Sequence, residues 1–117
     1  MKYKYTEKDA LRFGWKGIEG CSYSEKSDFA RASAAVFDVV ERHGKVKSRT
    51  SDRIYFVLEG AGRFEIAGEV IDVAATDVVI VPRETEYDYS GKMRLFLVHT
   101  PAYDRETEVI LDNTQDA

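Results

Sequence analysis

The sequence has too few residues of several kinds to build a second domain, a disulfide framework or a membrane span. It contains 117 residues, one cysteine and two prolines. A single cysteine excludes an internal disulfide and a cysteine-rich zinc site, and we interpret Cys21 as an unreactive thiol. No apolar run approaches the ~20 residues of a membrane helix, and the N-terminus lacks an apolar signal segment. We therefore expect one domain over residues 1–117, located in the cytoplasm with no membrane partner.

An excess of positive charge is also lacking. The chain carries 17 basic and 21 acidic residues, for a formal net charge of -4. A nucleic-acid-binding domain usually has a basic footprint, and no helix-turn-helix pattern is visible. We therefore expect no nucleic-acid partner, and any basic patch must be local.

Short strand patterns, separated by glycine-bearing turns, make up most of the sequence. Residues 34–43 (AAVFDVVERH) are rich in β-branched and aromatic residues, which favours a strand. A turn is predicted at 60–62, and Ala67-Gly68 is a candidate two-residue hairpin. Further strands are predicted at 54–60, 63–68, 69–77, 77–82, 86–91 and 93–101. About eight short strands predict an all-β sandwich or barrel.

The two ends of the chain are predicted to be peripheral to a core barrel of residues 34–100. At the N-terminal end, Thr6 is a candidate cap for one helical turn. At the other end, residues 104–117 (DRETEVILDNTQDA) form an acidic tail.

Two of the strand-turn segments resemble the conserved motifs of a known family. The run IYFVLEGAGRFEIAGE (54–69) resembles the second half of the first cupin motif, with glycines at the turns. The run DVVIVPRETEYDYSG (77–91) resembles the second motif, with Pro82 at the family's proline. The chain is thus similar to small single-domain cupins. The resemblance implies a double-stranded β-helix of the jelly-roll kind, and a homodimer paired through N-terminal strands.

The usual metal-ligand positions of that family are changed in this sequence. Where cupins place the first-motif ligands, this chain has Lys47, Arg49 and Arg53, and where they place the second-motif histidine it has Tyr87. Protonated Lys and Arg cannot serve as ligands, and converging cations repel a divalent ion. The comparison therefore predicts no metal and no cofactor at the family's usual site.

The three basic residues have the same parity, so in an extended strand they would share one face. The resemblance implies that this face lines the barrel interior, where unpaired cations are costly. Their counter-charge would come either from a carboxylated or phosphorylated ligand or from within the chain, the internal candidates being Glu59, Glu84 and Glu86. An alternative stays open: the basic side chains simply extend into solvent at the barrel mouth.

Candidate chemistry falls mainly on two residues. The Tyr87 hydroxyl can donate to a substrate oxygen or, if cations lower its pKa, act as a base. His99 lies on a strand that could line the barrel, whereas His43 precedes Gly44 and is predicted to be an exposed loop residue. Trp15 and the tyrosines are interpreted as packing residues rather than stacking platforms.

The sequence therefore predicts a metal-independent cupin-fold protein that binds a small anionic metabolite through Lys47, Arg49, Arg53 and Tyr87. One alternative is a metal-independent isomerase or epimerase acting on sugar nucleotides or sugar phosphates, in which Tyr87 and His99 are catalytic. A metal-dependent dioxygenase or isomerase is a further alternative that the changed ligand positions disfavour. The fold alone does not choose among these functions.

Overall fold

The structure is nearly all β. The computed structural model describes residues 2–15 and 17–111. These residues contain nine strands: β1 (Leu11–Trp15), β2 (Ile18–Ser22), β3 (Ser33–Val39), β4 (Val46–Ser48), β5 (Asp52–Ile66), β6 (Glu69–Ala74), β7 (Val78–Val81), β8 (Tyr87–Thr100) and β9 (Glu108–Ile110). Short 3₁₀ turns cover Glu7–Asp9 and Arg105–Thr107. Within the described ranges, no helix is long and apolar enough to cross a membrane.

Two long antiparallel strands organise the sheet. β5 pairs with β8 from Asp52↔Thr100 to Ile66↔Tyr87, with one β-bulge between Val57 and Glu59. β5 also pairs with β6 and β7, while β8 pairs with β3 and β4. The strands other than β5, β6 and β7 are hydrogen-bonded in the order β1-β2-β3-β8-β4-β9. All nine strands thus belong to one sheet, which curls around a common interior.

The core lies inside this curl and follows the two-residue period of the strands. In the part of β5 before the bulge, the buried residues are Arg53, Tyr55 and Val57, all at odd positions. On β8 the odd positions from Tyr87 to His99 are also buried, except for the glycine at position 91. Because the two strands are in register, these side chains meet as rows inside the curl. Unusually for a core, the rows include several polar groups.

Several local predictions are confirmed. β3 falls within the predicted 34–43 strand apart from its first residue, Ser33. Ala67 and Gly68 have φ values of 50° and 83°, as a hairpin turn with two left-handed residues requires. Thr6 caps the first 3₁₀ turn by accepting a hydrogen bond from the backbone N–H of Asp9.

The turn predicted at 60–62 is wrong, because β5 continues through it to Ile66. The glycines serve another purpose. Gly60 has a φ of 82°, and a side chain there would meet the Lys92 carbonyl oxygen at 2.2 Å. They therefore permit the close approach of β5 to β8 just after the bulge. For the same reason β8 continues through Gly91 and joins the strands predicted at 86–91 and 93–101.

The terminal segments are integrated into the sheet, unlike the peripheral segments that the sequence predicts. β1 and β2 form a hairpin that adds to β3, and β9 pairs with β4 through Val46↔Ile110 and Ser48↔Glu108. The part of the predicted acidic tail from 112 to 117 lies outside the described residues. Integration of β9 matters for the site, since it brings Glu108 against the interior.

We expect Gly20→Ala to destabilise the protein by about 1–3 kcal/mol, the usual cost of overpacking. A Cβ at Gly20 would lie 2.3 Å from the Cβ of Phe37 and 2.2 Å from the Val36 carbonyl oxygen, so the β2–β3 pair would have to separate. Gly14→Ala is the matched control, because a Cβ at Gly14 would have no other atom within 4 Å. Urea unfolding compares the two variants. Equal free energies of unfolding would contradict the close approach.

Candidate active site

A row of hydrogen-bonded polar side chains crosses the barrel interior. The Arg53 guanidinium forms an ion pair with Glu108 through both of its terminal nitrogens. The same guanidinium donates to the Tyr87 hydroxyl at 2.5 Å, and the hydroxyls of Tyr87 and Tyr55 are 2.6 Å apart. We call Glu108, Arg53, Tyr87 and Tyr55 the interior row. Three strands supply it: β5 and β8 form its centre, and β9 closes one end.

A second group, the aromatic stack, adjoins the interior row. The His43 ring lies 4.6 Å from the Tyr89 ring at an interplanar angle of 17°, and Tyr89 in turn stacks on Phe64 at 4.9 Å. Trp15 lies on the outer side of His43, with ring centroids 6.5 Å apart, and its indole N–H donates to the His43 carbonyl. Tyr89 and Tyr55 are 5.5 Å apart between ring centroids, which joins the stack to the row. A histidine and three tyrosines therefore lie side by side in the barrel.

His43 is held as a neutral imidazole. Its Nδ1 is 2.9 Å from the Gly44 carbonyl oxygen, so Nδ1–H donates and the lone pair lies on Nε2. Burial lowers the pKa of His43, although the Gly44 hydrogen bond and the Asp88 carboxylate act in the opposite direction. Its backbone N–H donates to the Tyr89 carbonyl, which fixes the ring beside Tyr89. Nε2 is consequently an atom that can accept a proton at neutral pH.

The buried phenols stay protonated. Burial raises the pKa of Tyr55, Tyr87 and Tyr89, and for Tyr87 it outweighs the attraction of the Arg53 cation. The suggestion that nearby cations lower the Tyr87 pKa and make it a base is therefore wrong. At neutral pH these side chains are hydrogen-bond donors and weak acids.

Of the three basic residues singled out by the sequence, the structure places only Arg53 in the interior. In β4 the buried residues are Val46 and Ser48, so Lys47 has the opposite orientation and is half-buried. Arg49 is exposed in the bend that follows. The prediction that the three basic residues share one strand face is wrong, because the chain turns between β4 and β5. In this turn the Ser48 hydroxyl accepts hydrogen bonds from two backbone N–H groups. A ligand-binding role for Lys47 or Arg49 stays a prediction.

The counter-charge of Arg53 differs from the one that the sequence predicts. Glu59, Glu84 and Glu86 are all exposed. The residue that pairs with Arg53 is Glu108, from the segment predicted to be a peripheral tail. Since the ion pair is internal, Arg53 does not require an anionic ligand for charge compensation.

His99 lies on β8 beside the Arg53 end of the row. It is 7% exposed, pairs in register with Arg53 and Ser33, and its ring is 5.2 Å from Tyr103. Burial, together with the Arg53 cation, lowers the pKa of His99 to about 3. It is therefore neutral at neutral pH, and its catalytic role stays a prediction. His43, which the sequence assigned to an exposed loop, is half-buried in the aromatic stack instead.

The polar groups of the interior row do not fit a divalent cation. They are a guanidinium and phenols, which are poor ligands while protonated, and the Glu108 carboxylate is held by Arg53. Over residues 2–15 and 17–111, no three His, Cys, Asp or Glu side chains cluster as a metal site requires. Metal independence stays a prediction from the sequence.

The side chains at the centre of the site are buried, whereas Trp15 at its edge is partly exposed. Tyr55, Tyr87 and Tyr89 are at most 3% exposed, whereas Trp15 is 46% exposed. A groove of about 730 Å³ lies in front of Trp15, lined by Arg12, Phe13, Gly14, Trp15, Ile18 and Glu19. A cavity of about 340 Å³ elsewhere is lined by Lys45, Glu65, Ala67, Gly68, Glu84, Thr85 and Glu86. The groove is the one that adjoins His43, through Trp15.

The curled sheet and its buried interior define a cupin-like barrel, and comparison with solved structures supports this fold. The chain is similar to Pac13, described as a unique nucleoside dehydratase, with 29% identity, a TM-score of 0.88, and coverage of 96% of this chain and 92% of that one. Three Streptomyces Pac13 variants with uridine are also similar, at 28% identity: one has a histidine changed to glutamine, and two have a tyrosine changed to phenylalanine.

More distant structures share the fold alone. KdgF from Halomonas sp. has 14% identity and a TM-score of 0.76 over 91% of this chain and 99% of that one. A predicted oxalate decarboxylase from Thermotoga maritima has 17% identity and a TM-score of 0.73 over 85% and 99%. No protein-family profile and no curated protein matches the sequence. The all-β cupin fold predicted from the sequence is confirmed, and a general small-molecule role follows from it.

Proposed function

We propose that this protein is an enzyme that binds a nucleoside and eliminates water from its sugar. The observation that carries the proposal is the neutral His43 stacked on Tyr89 inside the barrel, with Tyr55 adjacent. Support comes from Pac13, a nucleoside dehydratase whose uridine-containing variants alter a histidine and two tyrosines. This chain contains just those residue types, side by side, in a similar barrel.

The groups of the site match the steps of such a reaction. Elimination breaks a C–H bond and a C–O bond, forms a C=C bond and releases water. His43 Nε2 has the lone pair that accepts the carbon-bound proton, and a neutral phenol or the resulting imidazolium donates a proton to the departing hydroxyl. The carbon acid must be activated, so we expect the substrate to have a carbonyl group next to the carbon that loses its proton. Buried donors stabilise the enolate that develops there.

Binding of an anionic ligand has less support than binding of a neutral ligand. Arg53 is the only one of the predicted basic residues that the structure places inside, and Glu108 already pairs with it. An uncharged nucleoside needs no further cation, so its binding would leave that pair intact. Binding of a carboxylated or phosphorylated metabolite, and an isomerase or epimerase reaction, stay predictions. So do the homodimer and the cytoplasmic location.

We expect the purified protein to bind uridine and to dehydrate a uridine derivative oxidised to an aldehyde or ketone on its sugar. His43→Gln removes the proton acceptor, so turnover should fall by at least about 10²-fold, the usual range for a general acid–base group. Calorimetry measures uridine binding, and mass spectrometry measures the loss of one water molecule. Tyr23→Phe, a change outside the site, is the control and should retain activity.

Retention of full turnover by folded His43→Gln would remove His43 as the base. No uridine binding by the wild type, together with a thermal shift caused by a sugar phosphate, would favour the anionic-ligand alternative instead. Product with an unchanged mass would indicate an isomerase. Each outcome thus assigns the site to one of the competing functions.

A further inference from the structure

A buried carboxylate outside the interior row lies next to the segment that carries His43. Asp88 is at an even position of β8, so its side chain faces away from the interior row, yet the residue is only 6% exposed. A carboxylate is rarely buried unless hydrogen-bond donors satisfy it. The proposed reaction gives Asp88 no part, so the donors around it must account for its burial.

Two of the three donors to Asp88 come from the residues that flank His43. Oδ2 accepts from Arg42 Nε at 2.5 Å, and Oδ1 accepts from the Gly44 backbone N–H at 2.8 Å. Oδ1 also accepts from the backbone N–H of Tyr89, the residue on which the His43 ring stacks. One carboxylate therefore binds the chain on both sides of the histidine.

Gly44 connects Asp88 to the imidazole. Its N–H donates to the carboxylate, while its carbonyl oxygen lies 2.9 Å from His43 Nδ1 and accepts the proton on that nitrogen. Gly44 has a φ of 105°, which residues with a side chain rarely adopt. Binding of the Gly44 N–H thus holds in place the carbonyl that selects the Nδ1–H tautomer.

Other contacts do little to hold this part of the chain. Residues 40–42 are exposed, so apolar packing contributes little to their position. Gly44 is buried, and its N–H has the Asp88 carboxylate as its acceptor. Loss of that acceptor would leave a buried donor unsatisfied, so the Gly44 peptide would have to turn. The His43 ring would then lose the carbonyl that fixes its tautomer.

We infer that Asp88 is a positioning residue for His43: by binding Arg42 and the Gly44 N–H, it holds the imidazole beside Tyr89 as the Nδ1–H tautomer. The inference rests on the proposed function, in which His43 Nε2 accepts the substrate proton. Asp88 faces away from the interior and acts through the Gly44 peptide. In a catalytic triad the orienting carboxylate binds the imidazole directly, whereas here one residue of backbone lies between them.

The charge of Asp88 also bears on the basicity of His43. Burial, which has the largest effect, lowers the pKa of His43, and the Asp88 carboxylate opposes it. The other charged groups that act on the ring from neighbouring strands are Glu108 on β9, which raises its pKa, and Arg53 on β5, which lowers it. Tyr89, stacked on the ring, is neutral. Removal of the Asp88 charge should therefore make Nε2 a weaker base.

NMR of the free protein with ¹⁵N-labelled histidine measures both the tautomer and the pKa of His43. Asp88→Asn keeps an acceptor for the Gly44 N–H and loses the charge, so the tautomer should persist while the pKa falls. Asp88→Ala removes the acceptor as well, and should add a population of the Nε2–H tautomer. Asp72→Asn is the matched control, because Asp72 also pairs with an arginine but is exposed. It should change neither property.

Kinetics with the oxidised nucleoside measure the consequence for turnover. We expect Asp88→Asn to lower kcat by at most about tenfold and to move the acidic limb of its pH profile to lower pH, as a weaker base requires. Asp88→Ala should lower kcat by about 10²-fold through misplacement of the base. KM should change less than kcat in both variants. A purely structural role would reduce stability without moving the pH profile of the folded enzyme.

An unchanged tautomer in folded Asp88→Ala, or an unchanged His43 pKa in Asp88→Asn, would overturn the inference. A fall in kcat with no change at His43 would also overturn it. If Asp88→Ala does not fold, Asp88→Ser takes its place, since a hydroxyl is too short to bind both Arg42 and Gly44. Absence of dehydration by the wild type would count against the proposed function, while the NMR comparison would still decide whether Asp88 positions His43.

Discussion

Replacing Glu108 with alanine is expected to lower the free energy of unfolding by about 3–5 kcal/mol, the cost of removing one partner of a buried ion pair. The side chain of Arg53 is 5% exposed and that of Glu108 is 15% exposed, so water cannot replace the lost carboxylate. The buried Nε of Arg53 already has no hydrogen-bond partner among the described residues. The alanine variant would leave the terminal nitrogens short of acceptors as well, and the cation without a counter-charge.

Glu106→Ala is the matched control, because Glu106 lies two residues earlier and its side chain is exposed. Urea unfolding at pH 7 gives both free energies of unfolding, and the control should differ from the wild type by less than about 0.5 kcal/mol. Glu108→Gln should fall between the two, since its amide still accepts from the guanidinium. If Glu108→Ala were as stable as the control, the interior ion pair would contribute nothing and Arg53 would be available to an anionic ligand.

The fold could be predicted well because its signals are local. β-branched residues mark β3, and the Ala67-Gly68 turn marks the hairpin between β5 and β6. These signals depend on residues that are adjacent in the chain. The strand prediction was wrong where a glycine suggested a turn inside one long strand. Gly60 indicates a turn when only its neighbours in the chain are considered, although it permits close contact with the adjacent strand.

The site could be predicted only in part, because its residues are distant in the sequence. Arg53 and Tyr87 were found through the resemblance to a known motif, and the structure joins them by a hydrogen bond. Glu108 is 55 residues from Arg53, and no spacing rule links the two. Parity failed for Lys47 because a turn between two strands resets the alternation of side chains.

His43 was missed for a related reason. Its position before Gly44 indicated a loop, which is where it lies, but a loop residue can still be enclosed by the neighbouring strands. The enclosing groups, Trp15 and Tyr89, come from β1 and β8. The one available signal was the excess of tyrosines, seven in 117 residues, which are costly to bury unless their hydroxyls are paired.

Acidification is expected to destabilise the protein by about 3 kcal/mol between pH 7 and pH 4 through His99 alone. Burial, assisted by the Arg53 cation, lowers the pKa of His99 from 6.5 to about 3 in the folded protein. In the unfolded chain the imidazole has its ordinary pKa. Between these two values the unfolded chain binds a proton that the folded protein does not. The stabilisation is thus complete above about pH 6.5 and is lost progressively as the pH falls toward 3.

The contribution of His99 can be separated from that of the other titrating groups with one variant. His99→Gln cannot gain a proton, so its free energy of unfolding should fall less steeply from pH 7 to pH 4 than that of the wild type. Carboxylates and His43, whose pKa is also lowered by burial, are common to both proteins and cancel in the difference. Urea unfolding at constant ionic strength gives both curves. Parallel curves would show that His99 is charged in the folded protein, which would place a second cation beside Arg53 and reopen the case for an anionic ligand.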